Sequence, residues 1–192
     1  VIDIGGGTSD IAVLSLGGIV TSSSLKQAGD KLDTDIMNFV KREHKLLIGE
    51  RTSEQIKKEI GTALEPEKVI GMEIRGRDMV TGLPRTITIN SKEIYSAMHE
   101  TLMNIVDQAK EVLETTPPEL GADIINTGIV LTGGGSLING IEELFSSELG
   151  VPVFAATEAL DSVVLGTGIL LENIGKKRNK KDGFFSRLFK SN

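Results

Sequence analysis

Val1-Ile2-Asp3-Ile4-Gly5-Gly6-Gly7-Thr8-Ser9-Asp10 is a short apolar strand with one carboxylate, Asp3, that runs into three glycines and a hydroxyl, Thr8. Glycines let a backbone approach an anion closely and present N–H groups to it with no Cβ in the way. The pattern returns far downstream. Gly128 to Leu131 is again an apolar strand, and Thr132-Gly133-Gly134-Gly135-Ser136 follows it ahead of an amphipathic segment. Two strand-to-glycine turns in one small chain predict two walls of one nucleotide cleft. Each turn taken alone also reads as an ordinary tight bend.

Outward from the first turn, Val1–Ile4, Ile11–Leu16 and Ile19–Ser24 read as a strand meander, with Gly17-Gly18 as a hairpin turn. Leu32, Ile36, Phe39 and Val40 recur at helical spacing and predict a helix over 31–44. Thr52-Ser53-Glu54-Gln55 matches a capping box for a second helix, which ends at Gly61. Val69–Arg75 and Arg85–Ile89 alternate like a hairpin. Ser91 is placed to cap a long helix with the stripe Ile94, Ala97, Met98, Leu102, Ile105, Ala109, Val112 and Leu113, stopped by Pro117-Pro118. A short helical turn, the second glycine cluster, a helix bearing Ile138, Ile141, Leu144 and Phe145, a strand over Val151–Ala155 and an apolar helix over Leu160–Ile174 complete the order. The expected fold class is α/β, a mixed lobe carrying a small helix-plus-hairpin insert at 32–92.

Composition narrows the classes. The 192 residues are 39% hydrophobic with a mean hydropathy of +0.01, so a packed core is expected and wholesale disorder is not. There is no cysteine, which excludes a disulfide scaffold and thiolate metal sites and fits a reducing cytosol. No Trp and one Tyr make a stacking surface for single-stranded nucleic acid improbable, and no nucleic-acid partner is expected. His44 and His99 have no companions at metal-ligand spacing and read as helix-surface residues. The net charge of −6 is uneven: residues 175–192 hold seven Lys/Arg and one acid, while the other 174 carry 14 basic and 26 acidic groups. Such a body repels polyanions and such a tail seeks them. Val1 falls within a strand pattern and is not Met, so the sequence reads as the C-terminal part of a longer chain.

Asp3-Ile4-Gly5-Gly6-Gly7-Thr8, Ala28-Gly29-Asp30 entering a helix, and Ile48-Gly49-Glu50-Arg51-Thr52 together resemble the actin-like ATPase superfamily. Glu54-Gln55-Ile56-Lys57-Lys58-Glu59-Ile60-Gly61, Thr116-Pro117-Pro118-Glu119-Leu120 and Leu131-Thr132-Gly133-Gly134-Gly135-Ser136-Leu137 narrow the resemblance to the MreB and MreB-like cell-shape filament proteins. The likeness runs from residue 1 to about 174, as six ordered blocks. It implies lobe II of the actin fold: subdomain IIA at 1–31 and 93–160, subdomain IIB at 32–92, and a closing helix at 161–174 that returns to subdomain IA. It also implies that the first phosphate loop and an upstream water-polarising glutamate lie outside this sequence, so that the ATPase activity of this stretch alone is uncertain.

The resemblance further implies ATP and Mg²⁺ as cofactors. Gly5, Gly6, Gly7 and Thr8 would cradle the β- and γ-phosphates, with Thr8 orienting the lytic water. Asp3 would face the metal through water, since Mg²⁺ keeps several of its waters. Ser53, Glu54, Gln55, Ile56 and Lys57 would supply ribose and adenine contacts. From the residues alone, that stretch reads rather as a solvated helix face with a Glu/Lys pair. Gly133, Gly134, Gly135 and Ser136 would pass the adenine and α-phosphate at a helix N-terminus, where the dipole favours anions.

The tail, 175–192, is the least family-like part. After the basic run Lys176–Lys181, Phe184, Phe185, Leu188 and Phe189 fall on one face of a helix, with Arg187 and Lys190 beside them. That is a short basic amphipathic element suited to an anionic membrane surface, and a solubilising tail is its plain alternative. The leading functional expectation is a filament-forming cytoskeletal subunit on the inner membrane face, working with cell-wall synthesis. A sugar kinase or a chaperone-type ATPase of the same superfamily remains the alternative. The first would need a sugar-binding carboxylate and base, and the second a substrate domain beyond the last helix.

Overall fold

The structure, a computed structural model, describes residues 1–172. Residues 1–159 form one compact unit. Its centre is a five-stranded sheet in the order β3-β2-β1-β7-β8, built from β1 (Ile2–Ile4), β2 (Ser9–Ser15), β3 (Gly18–Leu25), β7 (Ile129–Thr132) and β8 (Val153–Ala155). The first three strands are the expected antiparallel meander, while β7 lies parallel to β1 and β8 parallel to β7. The chain reaches β7 only after 103 intervening residues, and it does so beside β1 (Asp3 opposite Thr132).

Those intervening residues carry α1 (Gly29–His44), β4 (Leu46–Leu47), α2 (Glu50–Ile60), β5 (Gly71–Asp78), β6 (Pro84–Asn90), α3 (Ser91–Glu114) and α4 (Pro118–Thr127). β4, β5 and β6 make a separate three-stranded antiparallel sheet. The 24-residue α3 buries the predicted stripe: Ile94, Met98, Leu102, Ile105, Ala109 and Val112 are all in the core. Leu32, Ile36 and Val40 of α1, Ile56 of α2 and Ile2, Ile4 and Leu131 of the sheet join the same core. A four-residue 3-10 helix (Gly134–Leu137) and α5 (Ile141–Leu149) complete the unit.

Four local expectations are corrected. The turn between β2 and β3 is centred on Leu16 and Gly17, at φ of 51° and 77°, with Ser15 opposite Gly18; two consecutive positive φ values match the strand twist in a two-residue hairpin. The Thr52–Gln55 capping box does not form, because α2 starts earlier, at Glu50, with Gly49 as its N-cap. Asn90, not Ser91, caps α3: its side chain accepts from the amides of Lys92 and Glu93, and Glu93 reaches back to the Asn90 amide. Gly133–Ser136 do not open an α-helix, since α5 begins only at Ile141.

Beyond that unit, residues 162–172 are helical and carry Val163, Val164, Leu165, Ile169, Leu170 and Leu171. The tail residues Phe184, Phe185, Arg187, Leu188, Phe189 and Lys190 lie outside the described residues.

Candidate functional site

The parallel pairing of β1 and β7 brings the two glycine turns to the same edge of the sheet. Asp3 and Thr132 are register partners, so Gly5 and Gly133 leave neighbouring strands at their C-terminal ends. A Cβ on Gly133, at φ 78°, would lie 2.4 Å from both the Asp3 carboxylate and the Ile4 carbonyl. One on Gly135 would lie 2.2 Å from the Ile4 side chain. The second turn therefore rests directly on the first. In open sheets with parallel strands, ligands bind outside the carboxyl ends.

The first turn is held from three sides. The Gly5 amide donates to the Thr8 carbonyl at 3.0 Å. The buried Ser9 hydroxyl donates to the Gln27 carbonyl at 2.7 Å, tying β2 to the approach of α1. The first amides of α1 then close on the turn: Gly29 donates to the Gly5 carbonyl at 3.1 Å and Asp30 to the Gly6 carbonyl at 2.8 Å. Gly6, Gly7 and Thr8 stay exposed, and a Cβ added at Gly7 would meet nothing within 4 Å. The turn is hydrogen-bonded along its inner side and open on its outer one.

Asp3 is half-buried in the middle of β1, one residue short of its end. Burial pushes its carboxyl above the usual range, and the charge of Asp10 across the strand pair adds to the push. The Thr8 hydroxyl donates to Asp10 at 2.9 Å. Asp3 and Asp10 thus set two carboxylates side by side, one of them desolvated. Among the described residues no group of three or more His, Asp or Glu is placed to hold a metal ion.

On α2, the five expected residues divide. Ser53 is buried, its hydroxyl donating to the Glu50 carbonyl at 2.9 Å, and Ile56 is fully buried in the core. Glu54 is exposed and paired with Lys58 at 2.6 Å, and Gln55 is exposed and bonded to Glu59 at 2.8 Å. Lys57 alone turns toward the glycine turn, donating to the Gly29 carbonyl at 3.0 Å and to Asp33 at 2.8 Å. In the second turn, the Gly133 amide donates to the Ala159 carbonyl at 2.9 Å, and the Ser136 hydroxyl turns back to the Gly133 carbonyl at 2.7 Å. Since Gly134–Leu137 is a single 3-10 turn, the helix-dipole rationale for anion binding there does not apply.

Ser9, Asp10, Gly29, Asp30 and Asp33 belong to this region and were not among the residues read from sequence as site residues. Asp10 had a signal: a hairpin closing on Gly6-Gly7 sets Ile2 opposite Ile11 and therefore Asp3 opposite Asp10.

Comparison with known proteins adds an independent observation. The profile of the MreB/Mbl protein family matches residues 1–179. The chain is 56% identical over 181 residues to the cell shape-determining protein Mbl of Bacillus subtilis, covering 94% of this chain and 54% of that protein. It is 47% identical over 174 residues to the cell shape-determining protein MreB of Escherichia coli, covering 91% and 50% respectively. The crystal structure of MreB5 of Spiroplasma citri bound to AMPPNP is similar over 95% of this chain and 54% of that one, at 41% identity and a TM-score of 0.88. The chain thus spans about half the length of the relatives it matches.

Proposed function

This chain belongs to the MreB/Mbl family of actin-like proteins, and on that premise we propose that it is part of the ATP-binding machinery of a cell-shape filament. The observation that carries the reading is the seating of the second glycine turn on the first, at the C-terminal ends of β1 and β7. Gly5, Gly6, Gly7 and Thr8 hold the β- and γ-phosphates through backbone N–H groups. Gly133, Gly134, Gly135 and Ser136 border the nucleoside end, and α2 offers its exposed Glu54 and Gln55 to the ribose and adenine while Lys57 anchors the helix to the Gly29 carbonyl. Asp3 would hold Mg²⁺ through water, and the ion would supply charge neutralisation at the phosphates. In phosphoryl transfer the protein mainly positions groups and balances charge, so this sparse set of side chains suffices.

Self-association is the second part of the proposal. Met79, Val80 and Leu83 stand exposed at the β5–β6 tip, and Leu16 and Ile19 at the β2–β3 tip. Clustered exposed apolar side chains mark contact surfaces, and a head-to-tail contact that does not close generates a filament. The third part is attachment at the inner membrane face by Phe184, Phe185, Leu188 and Phe189 with Arg187 and Lys190, beside cell-wall synthesis. Among the described residues no helix is long and apolar enough to cross a membrane.

Electron microscopy of the full chain with ATP and Mg²⁺ tests the reading: filaments that require the nucleotide are expected, and nucleotide-independent or absent assembly refutes it. Deleting 183–192 is expected to reduce sedimentation with anionic liposomes, and unchanged sedimentation rejects the membrane assignment.

A further inference from the structure

Outside the glycine turns, one pair of charges is out of place. Lys57 of α2 and Asp33 of α1 meet at 2.8 Å with only 13% of either side chain exposed. The same ammonium donates to the Gly29 carbonyl, and Gly29 donates in turn to Gly5. A Cβ on Gly29 would lie 3.2 Å from the Gly5 carbonyl and 3.5 Å from Lys57 Nζ. Helix α2, the first turn of α1 and the glycine turn therefore touch at one point, and the Asp33–Lys57 pair is the pin through it.

As a packing device the pair is poor. Desolvating two charges offsets most of their attraction, and an apolar pair of similar volume packs as well or better. Asp33 Oδ1 is buried with no hydrogen-bond partner. Burial pushes the Asp33 carboxyl upward, the hydrogen bond and charge of Lys57 pull it down, and the charges of Glu54 and Asp30 push it up again. An ion pair kept at such a cost, against the turn that carries the site, points to a task other than packing.

We infer that Asp33 is a positioning residue of the nucleotide site: by holding Lys57 against the Gly29 carbonyl, it fixes the nucleoside-facing turns of α2 relative to the Gly5–Gly7 turn. The inference rests on the ATP-binding reading and adds a residue to it. Asp33 itself touches the ligand nowhere in this scheme. Without it α2 is released from α1, while the Gly29 and Asp30 amides still hold the Gly5 and Gly6 carbonyls, so the nucleoside half of the site loosens and the phosphate half is kept.

The test measures equilibrium binding of a fluorescent ATP analogue to the full chain, with inorganic tripolyphosphate as a competitor. Asp33→Asn is expected to weaken the ATP analogue about tenfold, the loss typical of one charge-assisted hydrogen bond, and to leave tripolyphosphate within about twofold. Equal losses for both ligands, or no loss for either, overturn the inference. Failure of the unaltered chain to bind the analogue instead sinks the ATP-binding reading itself. Should Asp33→Asn not fold, Asp33→Leu with Lys57→Met replaces the buried charges by apolar groups. It is expected to be stably folded and still selectively weakened for the ATP analogue, and unchanged ATP affinity in that variant overturns the inference.

Discussion

Gly7→Ala separates the work of the glycine turn in folding from its work in binding. Gly7 is exposed, its φ lies outside the left-handed region, and an added Cβ would meet nothing within 4 Å. Replacing such a glycine reduces the entropy of the unfolded chain, so folding is expected to gain about 0.4–1 kcal/mol. The same methyl would fill the space through which a phosphate approaches the backbone. A loss of tenfold in ATP affinity corresponds to about 1.4 kcal/mol, and at least that is expected. Gly133→Ala supplies the contrast. There the new Cβ would lie 2.4 Å from Asp3 and from the Ile4 carbonyl at φ 78°. Backbone strain of about 1–3 kcal/mol and overpacking of about 1–3 kcal/mol combine against a total stability of roughly 5–15 kcal/mol. Urea melts and binding of a fluorescent ATP analogue, run on both variants, give the answer. A Gly7→Ala protein that folds and binds ATP as the unaltered chain does refutes the phosphate cradle.

Three further outcomes are expected. Asp3→Asn removes a carboxylate whose ionised form is disfavoured by burial and by Asp10; a raised folded pKa means the ionised group costs stability at neutral pH, so the variant should melt higher at pH 7, with the difference shrinking as pH falls through the raised pKa, while Mg²⁺-dependent ATP binding is lost. Asn90→Ala breaks the capping box of α3 and should cost about 0.5–2 kcal/mol in a urea melt without changing ATP affinity. Asp78 accepts from the amides of Thr81 and Val80 and pairs with Arg85, which holds its carboxyl far below the usual range. Its contribution is present above the ordinary carboxylate pKa and lost as pH falls through the depressed one. Asp78→Ala should therefore speed amide exchange at Val80 and Thr81 at pH 7, and unchanged exchange counts against this account.

The sheet meander and α3 were legible because their burial is one-sided: Ile2, Ile4, Ile11 and Val13 alternate, and Ile94 to Val112 repeat at helical spacing. The ends of elements were less legible. Thr52 and Ser91 look like caps, but the chain enters α2 at Gly49 and Asn90 outcompetes Ser91 because it sits one residue earlier with Glu93 in reach. The two-residue β4 carries no pattern long enough to read. In the site, Gly5–Thr8 and Gly133–Ser136 could be found because glycine runs after strands are rare. Asp33 could not, since its place beside Lys57 depends on how α1 and α2 pack. Ile56 shows the limit of reading a motif as a block: its neighbour Lys57 faces the turn while Ile56 itself fills the core.

The amides of Gly29 and Asp30 are spent on the Gly5 and Gly6 carbonyls, so they have no hydrogen left to offer an anion. Their influence travels instead through the peptide groups. A carbonyl that accepts a hydrogen bond draws electron density from its own amide unit, and such chains strengthen by about 10–30% per link. The units polarised here are those whose hydrogens belong to Gly6 and Gly7. The positive end of α1 is thereby relayed across two peptide planes, making those hydrogens more acidic donors than an isolated glycine loop would present.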